Sequence, residues 1–324
     1  MKLPRRRFLH FAAAALLPAQ AEQVQVAQAQ AWPARPIRLV VGFAAGGPND
    51  MMARLMADWL TGRLGQPVVV ENIASSDAAA AVARAPADGY TLMLIGPADA
   101  IAVTLAKNPD VDFRRGLMPV AGITREALAM VVNPSVPAAD VTALFAHAQA
   151  NPGTVRLAVS GLGSAPQVAG ELFRTMTGID VAVAPFADGA VALRAIVAGD
   201  AQVMFVPMPD AIGPLRAGRL RALAVTVAQR IAALPGVPAM AEVLPGFEVS
   251  AVTGIAVPRG TPSEIVTLLN REINAAFADG ATKARFAETG GEVLTGSPAE
   301  FGKLFGGEIA NWAKLLTLSG IKTQ

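Results

Sequence analysis

The sequence predicts an α/β protein of two lobes, each built on a parallel sheet with helices on both faces. Three observations lead there. Short apolar, β-branched runs alternate with longer helical patterns, the signature of strand–helix–strand units. Two of those runs empty into glycine turns that open directly onto a helix. The chain, at 324 residues, also exceeds the usual size of a single core.

The first run covers 37–41 and leads through Phe43, Ala44 and Ala45 into Gly46-Gly47-Pro48-Asn49-Asp50, with a helix predicted over 51–64. Strands follow at 68–70, 91–95, 127–132 and 155–159. The last of these runs into Gly161-Leu162-Gly163-Ser164, and a helix is predicted over 168–177. Further strands are predicted at 181–185, 203–206, 220–226 and 253–257, and further helices at 141–150, 190–198, 262–278 and 298–319. The runs are continuously apolar rather than alternating, which fits sheets covered on both faces. Thr261-Pro262-Ser263-Glu264 and Ser297-Pro298-Ala299-Glu300 each write a helix start: hydroxyl cap, early proline, glutamate near the third position. Phe301, Leu304, Phe305, Ile309, Trp312 and Leu316 fall at three- to four-residue spacing and predict the packing face of the final helix.

A strand, a glycine turn and a helix N-terminus together make a site for an anion. The turn lets backbone amides approach, and the helix start adds unpaired N–H groups and about half a positive charge. Two such units predict two lobes offering helix ends to one ligand.

Residues 1–21 read as an export signal: Lys2, Arg5, Arg6 and Arg7, then an apolar core, then Ala19-Gln20-Ala21 as a cleavage site. Arg5-Arg6-Arg7-Phe8-Leu9 fits the twin-arginine pattern as well as an ordinary secretory signal. Residues 22–31 form an Ala/Gln-rich, low-complexity linker, within which cleavage after Ala27, Ala29 or Ala31 is also allowed. Without the leader the chain carries 23 basic against 25 acidic residues, so its basicity gives no reason to expect a nucleic-acid partner. The sequence contains no cysteine, which excludes disulfides, thiol catalysis and iron–sulfur clusters. These features predict a soluble periplasmic protein that needs no cofactor and works as a monomer.

Catalysis finds little support. His10 lies in the leader and His147 in a helical pattern, where it reads as a surface or core-edge residue. Neither H-E-x-x-H nor C-x-x-C occurs. Ser164 lacks the flanking glycines of a nucleophile elbow, and reads as a helix N-cap or a hydroxyl donor to a ligand. Tyr90 and Trp59 read as structural, and Asp50 as a first-turn residue favoured by the helix dipole.

The chain resembles the extracytoplasmic receptors of the tripartite tricarboxylate transporter family (TctC or Bug type) from about Trp32 to Ile321. The resemblance is carried by Trp32-Pro33, Pro36-Ile37-Arg38, Gly46-Gly47 with Asp50 and Ala53-Arg54, and Leu64-Gly65-Gln66-Pro67-Val68-Val69-Val70-Glu71-Asn72. It continues through Ala87-Asp88-Gly89-Tyr90, Val132-Asn133-Pro134, Ser160-Gly161-Leu162-Gly163-Ser164, Ala169-Gly170-Glu171-Leu172-Phe173, Leu220-Arg221-Ala222-Leu223-Ala224, Leu234-Pro235-Gly236-Val237-Pro238 and Pro258-Arg259-Gly260-Thr261-Pro262.

That resemblance implies a type II periplasmic-binding fold: two doubly wound lobes joined by two crossover strands, with a ligand cleft between them. Lobe 1 would comprise 32–125 and 251–324, and lobe 2 126–250. It also implies a small carboxylate ligand, cleft closure, and delivery to a membrane permease of the tripartite type or presentation to a sensor protein. An exported α/β enzyme is the remote alternative. Carried onto this chain, the lobe 1 contacts are Phe43, Ala45, Gly46, Gly47 and Asn49, with Ser75 and Ser76 from the next turn. Lobe 2 would contribute Gly163, Ser164, Gln167, Phe186 and Val206. Thr253 would either line the cleft or belong to the hinge.

Three departures bear on the ligand. The family's glycine-rich segment after Asn72 is here Ile73-Ala74-Ser75-Ser76. Gln167 stands where a histidine is common, and Phe186 and Val206 stand where a tyrosine and an aspartate are common. A less polar distal pocket follows, and with it an aromatic or apolar monocarboxylate.

Overall fold

The computed structural model describes residues 32–43, 45–73, 75–105, 113–160, 164–287 and 291–319. The predicted leader and linker lie outside the described residues. The chain runs β1 (Ile37–Val41), α1 (Pro48–Leu64), β2 (Val68–Asn72), α2 (Ser75–Ala83), β3 (Thr91–Ile95), α3 (Pro97–Leu105) and a short α4 (Phe113–Gly116) into the long β4 (Leu117–Val132). There follow α5 (Val141–Ala150), β5 (Arg156–Ser160), α6 (Ala165–Thr177), β6 (Ala182–Phe186), α7 (Gly189–Ala198), β7 (Val203–Pro207), α8 (Met208–Arg216) and β8 (Arg221–Val225). The return is made by β9 (Ser250–Pro258), α9 (Ser263–Ala278), α10 (Gly280–Ala287), β10 (Gly291–Val293) and α11 (Pro298–Ser319).

Two half-sheets share one strand. In the first, β1 lies between β2 and β3, all parallel. In the second, β5 lies between β6 and β7, again parallel. β4 belongs to both. Its first part pairs antiparallel with β9, ending with Ala127 opposite Ser250; from Leu128 it pairs with β7, and from Ala129 with β8. The all-parallel sheets expected from the sequence are therefore mixed, because both crossover strands run antiparallel to their neighbours.

The first half of β4 escapes sequence reading for a physical reason. Leu117-Met118-Pro119-Val120-Ala121-Gly122-Ile123-Thr124-Arg125-Glu126 contains a proline, a glycine and a charged pair, all poor strand signals. Register shifts between Pro119 and Ala121 and between Gly122 and Thr124 accommodate them, as bulges do in sheets that bend.

Each face of the half-sheets is covered by the helices whose patterns demanded it. Met52, Met56 and Leu60 of α1 and Leu269 and Ile273 of α9 bury against Leu39, Val41, Leu92 and Leu94. Ala192 and Ile196 of α7 and Ala211 of α8 cover Ala129, Val131 and Met204. α11 packs on both α3 and α6, and its Phe301, Phe305, Ile309, Trp312, Leu315 and Leu316 join one core with Met93, Ile95, Leu128 and Met130. Burying each such side chain stabilises by about 1.5–3 kcal/mol. Phe301 sits so close over β9 that a Cβ on Gly254 would fall 2.1 Å from its ring. Glycine is obligatory there on space alone.

Candidate functional site

In each half-sheet the chain leaves the middle strand to build first one neighbour and then the other. The turns after β1 and after β5 are thus at topological switch points, where open α/β sheets leave a crevice beyond their carboxyl strand ends. The registers aim both sets of strand ends at the crossing: Ile95 of β3 lies opposite Gly254 of β9, and Pro207 of β7 lies opposite Leu128 of β4.

The β1–α1 turn is held by Asp50. Gly46 takes the left-handed conformation (φ 79°) that glycine adopts without a side-chain clash, and its amide donates to Asp50 Oδ2 at 2.8 Å. Arg54 donates to both oxygens of Asp50, at 2.9 and 3.0 Å. Asn72, from the end of β2, donates to Asp50 Oδ1 and to the carbonyl of Phe43, both at 3.0 Å. Asp50 is 2% exposed. Burial pushes its carboxyl up, but the hydrogen bonds from Arg54, Gly46 and Asn72 together outweigh burial and leave it below the ordinary carboxylate range. The carboxylate is therefore a turn-closing group whose charge Arg54 offsets.

The Gly46 amide is consumed by this latch. Gly47 is the N-cap of α1, extended and without a side-chain cap, followed by Pro48. By helix geometry the backbone N–H groups of Gly47, Asn49 and Asp50 have no acceptor within α1 and are the donors of this helix start. Ala45 and Gly46 are exposed, and Phe43, Gly47 and Asn49 half-buried.

A second turn of the same design follows β3. Gly96 donates to Asp99 Oδ2 at 2.8 Å in the first turn of α3. A Cβ on Gly96 would meet Phe43 Cζ at 3.3 Å and Thr253 Cγ2 at 3.6 Å, so Phe43, Gly96 and Thr253 are brought together. Among the described residues no arginine pairs with Asp99 as Arg54 does with Asp50, and burial pushes its carboxyl up to about 7. Sequence reading did not single out this turn. The signal was present: Gly96-Pro97-Ala98-Asp99 repeats the pattern of Gly47-Pro48-Asn49-Asp50. Ser75 and Ser76 form the first turn of α2, directly after the β2 strand end.

On the other half-sheet, Ser164 is the N-cap of α6 and accepts from the Gln167 amide at 3.3 Å. Pro166 occupies the first turn, and Ser164 and Gln167 are half-buried. Gly163 lies outside the described residues. Phe186 ends β6, half-buried against the cluster under α7 and α8. Val206 is 1% exposed and pairs with Ala129 in the same cluster.

The floor is the crossing itself. Thr253, 1% exposed, has its hydroxyl 2.8 Å from that of Thr124 and donates to Met52 Sδ at 3.2 Å. The Thr124 hydroxyl also lies 3.2 Å from Glu126 Oε1. Thr253 thus ties β9 to β4 and α1, with its hydroxyl spent inside the protein. Thr226 does the same on the second half-sheet, accepting from the Leu128 amide at 2.9 Å and donating to the Val249 carbonyl at 2.6 Å.

His147 sits in the last turn of α5 beside Asn151, a helix away from these turns. Tyr90 accepts from the Ala34 amide and carries Arg35 over its ring at 3.9 Å, and Trp59 donates to the Glu272 carbonyl. All three serve local structure. Among the described residues, no three His, Cys, Asp or Glu side chains are placed to hold a metal ion, and no helix is long and apolar enough to cross a membrane. What the crevice offers chemically is amide donors at helix starts, suited to holding an anion.

Comparison with known proteins agrees with this chemistry. Residues 52–321 match the model of the tripartite tricarboxylate transporter family receptor. Protein BugT of Bordetella pertussis is 35% identical over 302 residues, covering 91% of this chain and 93% of that protein. The solved structure of Rhodopseudomonas palustris Rpa4515 with adipate is 35% identical, with a TM-score of 0.81, covering 89% of this chain and 98% of that one. MatC from Rhodopseudomonas palustris with bound malate is 30% identical, with a TM-score of 0.77, covering 88% of this chain and 100% of that one.

Proposed function

The chain belongs to the tripartite tricarboxylate transporter receptor family, and on that premise we propose that it is a periplasmic receptor for a small carboxylate. Exported under the signal in residues 1–21, it closes its two lobes over the anion and delivers it to a tripartite-type permease, without turning it over. One observation carries this reading. Both switch-point turns open onto helix N-termini, and the acid nearest the first of them, Asp50, is already paired with Arg54. An anion entering there meets the Gly47 and Asn49 amides rather than a bare carboxylate. Each helix end contributes about 0.3–2 kcal/mol to holding it, and closure around the rest of the ligand supplies the remainder.

The preference for an aromatic or apolar monocarboxylate rests on Phe186 and Val206, which stand where polar residues are common in the family. Adipate and malate, held by two relatives, are dicarboxylates with aliphatic bodies. We therefore place aliphatic dicarboxylates beside apolar monocarboxylates as ligands of this chain. Calorimetric titration of the leaderless protein with a panel of mono-, di- and tricarboxylates tests the reading. At 100 times its dissociation constant, a ligand stabilises the fold by about 2.7 kcal/mol, which a melting curve reads easily. Binding of at least one carboxylate, recovered unchanged, is expected; folded protein that binds none overturns the proposal.

A further inference from the structure

One ion pair at the crossing is only half made. Arg125 stands in β4 two residues before Ala127, where the pairing of β4 passes from β9 to β7 and β8. Its neighbour Thr124 turns to Met52 of α1, whereas Arg125 turns to Glu308, in the middle of α11. Arg125 Nη2 lies 3.6 Å from Glu308 Oε1, too far for a hydrogen bond. Arg125 Nε and Glu308 Oε2 are both buried, and neither has a hydrogen-bond partner among the described residues.

These two atoms are the missing half of one contact. Arg54 shows the complete form on Asp50: its Nε donates to one carboxylate oxygen and its Nη2 to the other. On Glu308 the Nη2 arm is stretched, and the Nε arm is represented by the two orphaned atoms. A shift of about 0.8 Å brings Nη2 within the range of a charged hydrogen bond, and the same side-on approach sets Nε against Oε2. The carboxyls differ accordingly. Asp50 lies below the ordinary carboxylate range, whereas Glu308 is pushed up, because burial outweighs the Arg125 charge and the Glu248 charge adds to burial.

The fold allows the half-sheets to supply that shift. α11 packs on α3 of the first half-sheet, on α6 of the second and on β4 itself, so rotation of the half-sheets about Ala127 and Ser250 shears it against the crossing strand. Arg125 also lines a cavity of about 600 Å³, whose other walls include Ile231 and Glu248 on one side and Gly291 and Glu292 of β10 on the other. The rotation therefore has room.

We propose that Arg125 and Glu308 form a closure latch, their fork completed when the lobes close over a carboxylate, so that Arg125 is a positioning residue for ligand capture. The inference rests on the receptor reading and adds the residues that hold the closed state. A buried donor and a buried acceptor without partners are both costly. A closed state that joins them is favoured over this conformation, and the difference appears as affinity.

The test follows the Nε–Hε resonance of Arg125 by NMR in the leaderless protein, with adipate, malate and benzoate as probes and calorimetry to establish binding. A bound carboxylate is expected to move the Arg125 Hε resonance downfield and slow its exchange with water, as a charged hydrogen bond forms. Arg125→Lys keeps the charge but cannot fork, and Glu308→Gln removes the anionic partner. Each is expected to weaken binding up to about tenfold, the worth of one hydrogen bond, and the double variant no further than the weaker single one. Should a variant misfold, the wild-type resonance still decides. Calorimetric binding that leaves the Arg125 Hε unmoved overturns the proposal while the receptor reading stands. Variants that lose melting temperature but keep wild-type affinity overturn it too, since the pair is then structural alone. If no probe binds, the receptor reading fails and the proposal with it.

Discussion

Replacing Asp50 by alanine removes the group on which the β1–α1 turn is built. The Gly46 amide and one N–H of Asn72 lose their acceptor at a site only 2% exposed. Both donors are only part-buried, so each lost hydrogen bond costs about 1 kcal/mol. Arg54 is half exposed, so its ion pair adds little. The sum is about 2 kcal/mol, and at roughly 2–4 °C per kcal/mol for a domain of this size the melting temperature falls by several degrees. Carboxylate affinity falls as well, because Gly46 no longer holds the turn that presents the Gly47 amide. Asp50→Asn separates the two effects: it keeps one acceptor oxygen and removes the charge. Were Asp50 chiefly a repulsive neighbour of the ligand, the asparagine variant would bind more tightly. Differential scanning calorimetry and ligand titration on both variants decide the matter. An alanine variant that melts with the wild type, or an asparagine variant with improved affinity, refutes the reasoning.

Thr226→Val leaves the Leu128 amide and the Val249 carbonyl unpaired at the crossing, and about 2–4 kcal/mol of stability is expected to be lost in a denaturant melt. Gly254→Ala forces a methyl to within 2.5 Å of the Ala121 carbonyl as well as into Phe301; trimming Phe301 to leucine is not expected to restore soluble protein, since the backbone clash remains. Asp99 and Glu126 both have carboxyls pushed up to about 7. A buried acid with a raised folded-state value contributes stability present below its unfolded value and lost as pH rises through the folded one. Melting temperature without ligand is therefore expected to decline from about pH 5 to pH 7 and level off above, with Asp99→Asn flattening the decline.

Much of the fold was legible because the chain punctuates it. β1 and β3 begin and end where apolar runs meet Pro36, Gly42, Tyr90 and Gly96, and α5 and α11 start at Asp140 and Ser297, side chains that cap or close their first turns. The crossing was half hidden, since Pro119, Gly122, Arg125 and Glu126 look like loop residues until bulges place them in β4. In the site, the switch-point turns were legible as glycine turns before helices. What Asp50 does with Gly46 was not, because a side chain reaching back four residues has no periodic signal.

If a carboxylate is held by amides at two helix starts facing one crevice, those amides report its binding, and amide-resolved NMR of the leaderless protein during titration with a binding carboxylate reads them directly. The largest shifts are expected at the Gly47, Asn49 and Ala165 amides, with smaller ones along the crossing near Ala127 and Ala251. Saturable binding that leaves these amides unmoved while shifting a surface elsewhere would contradict this arrangement.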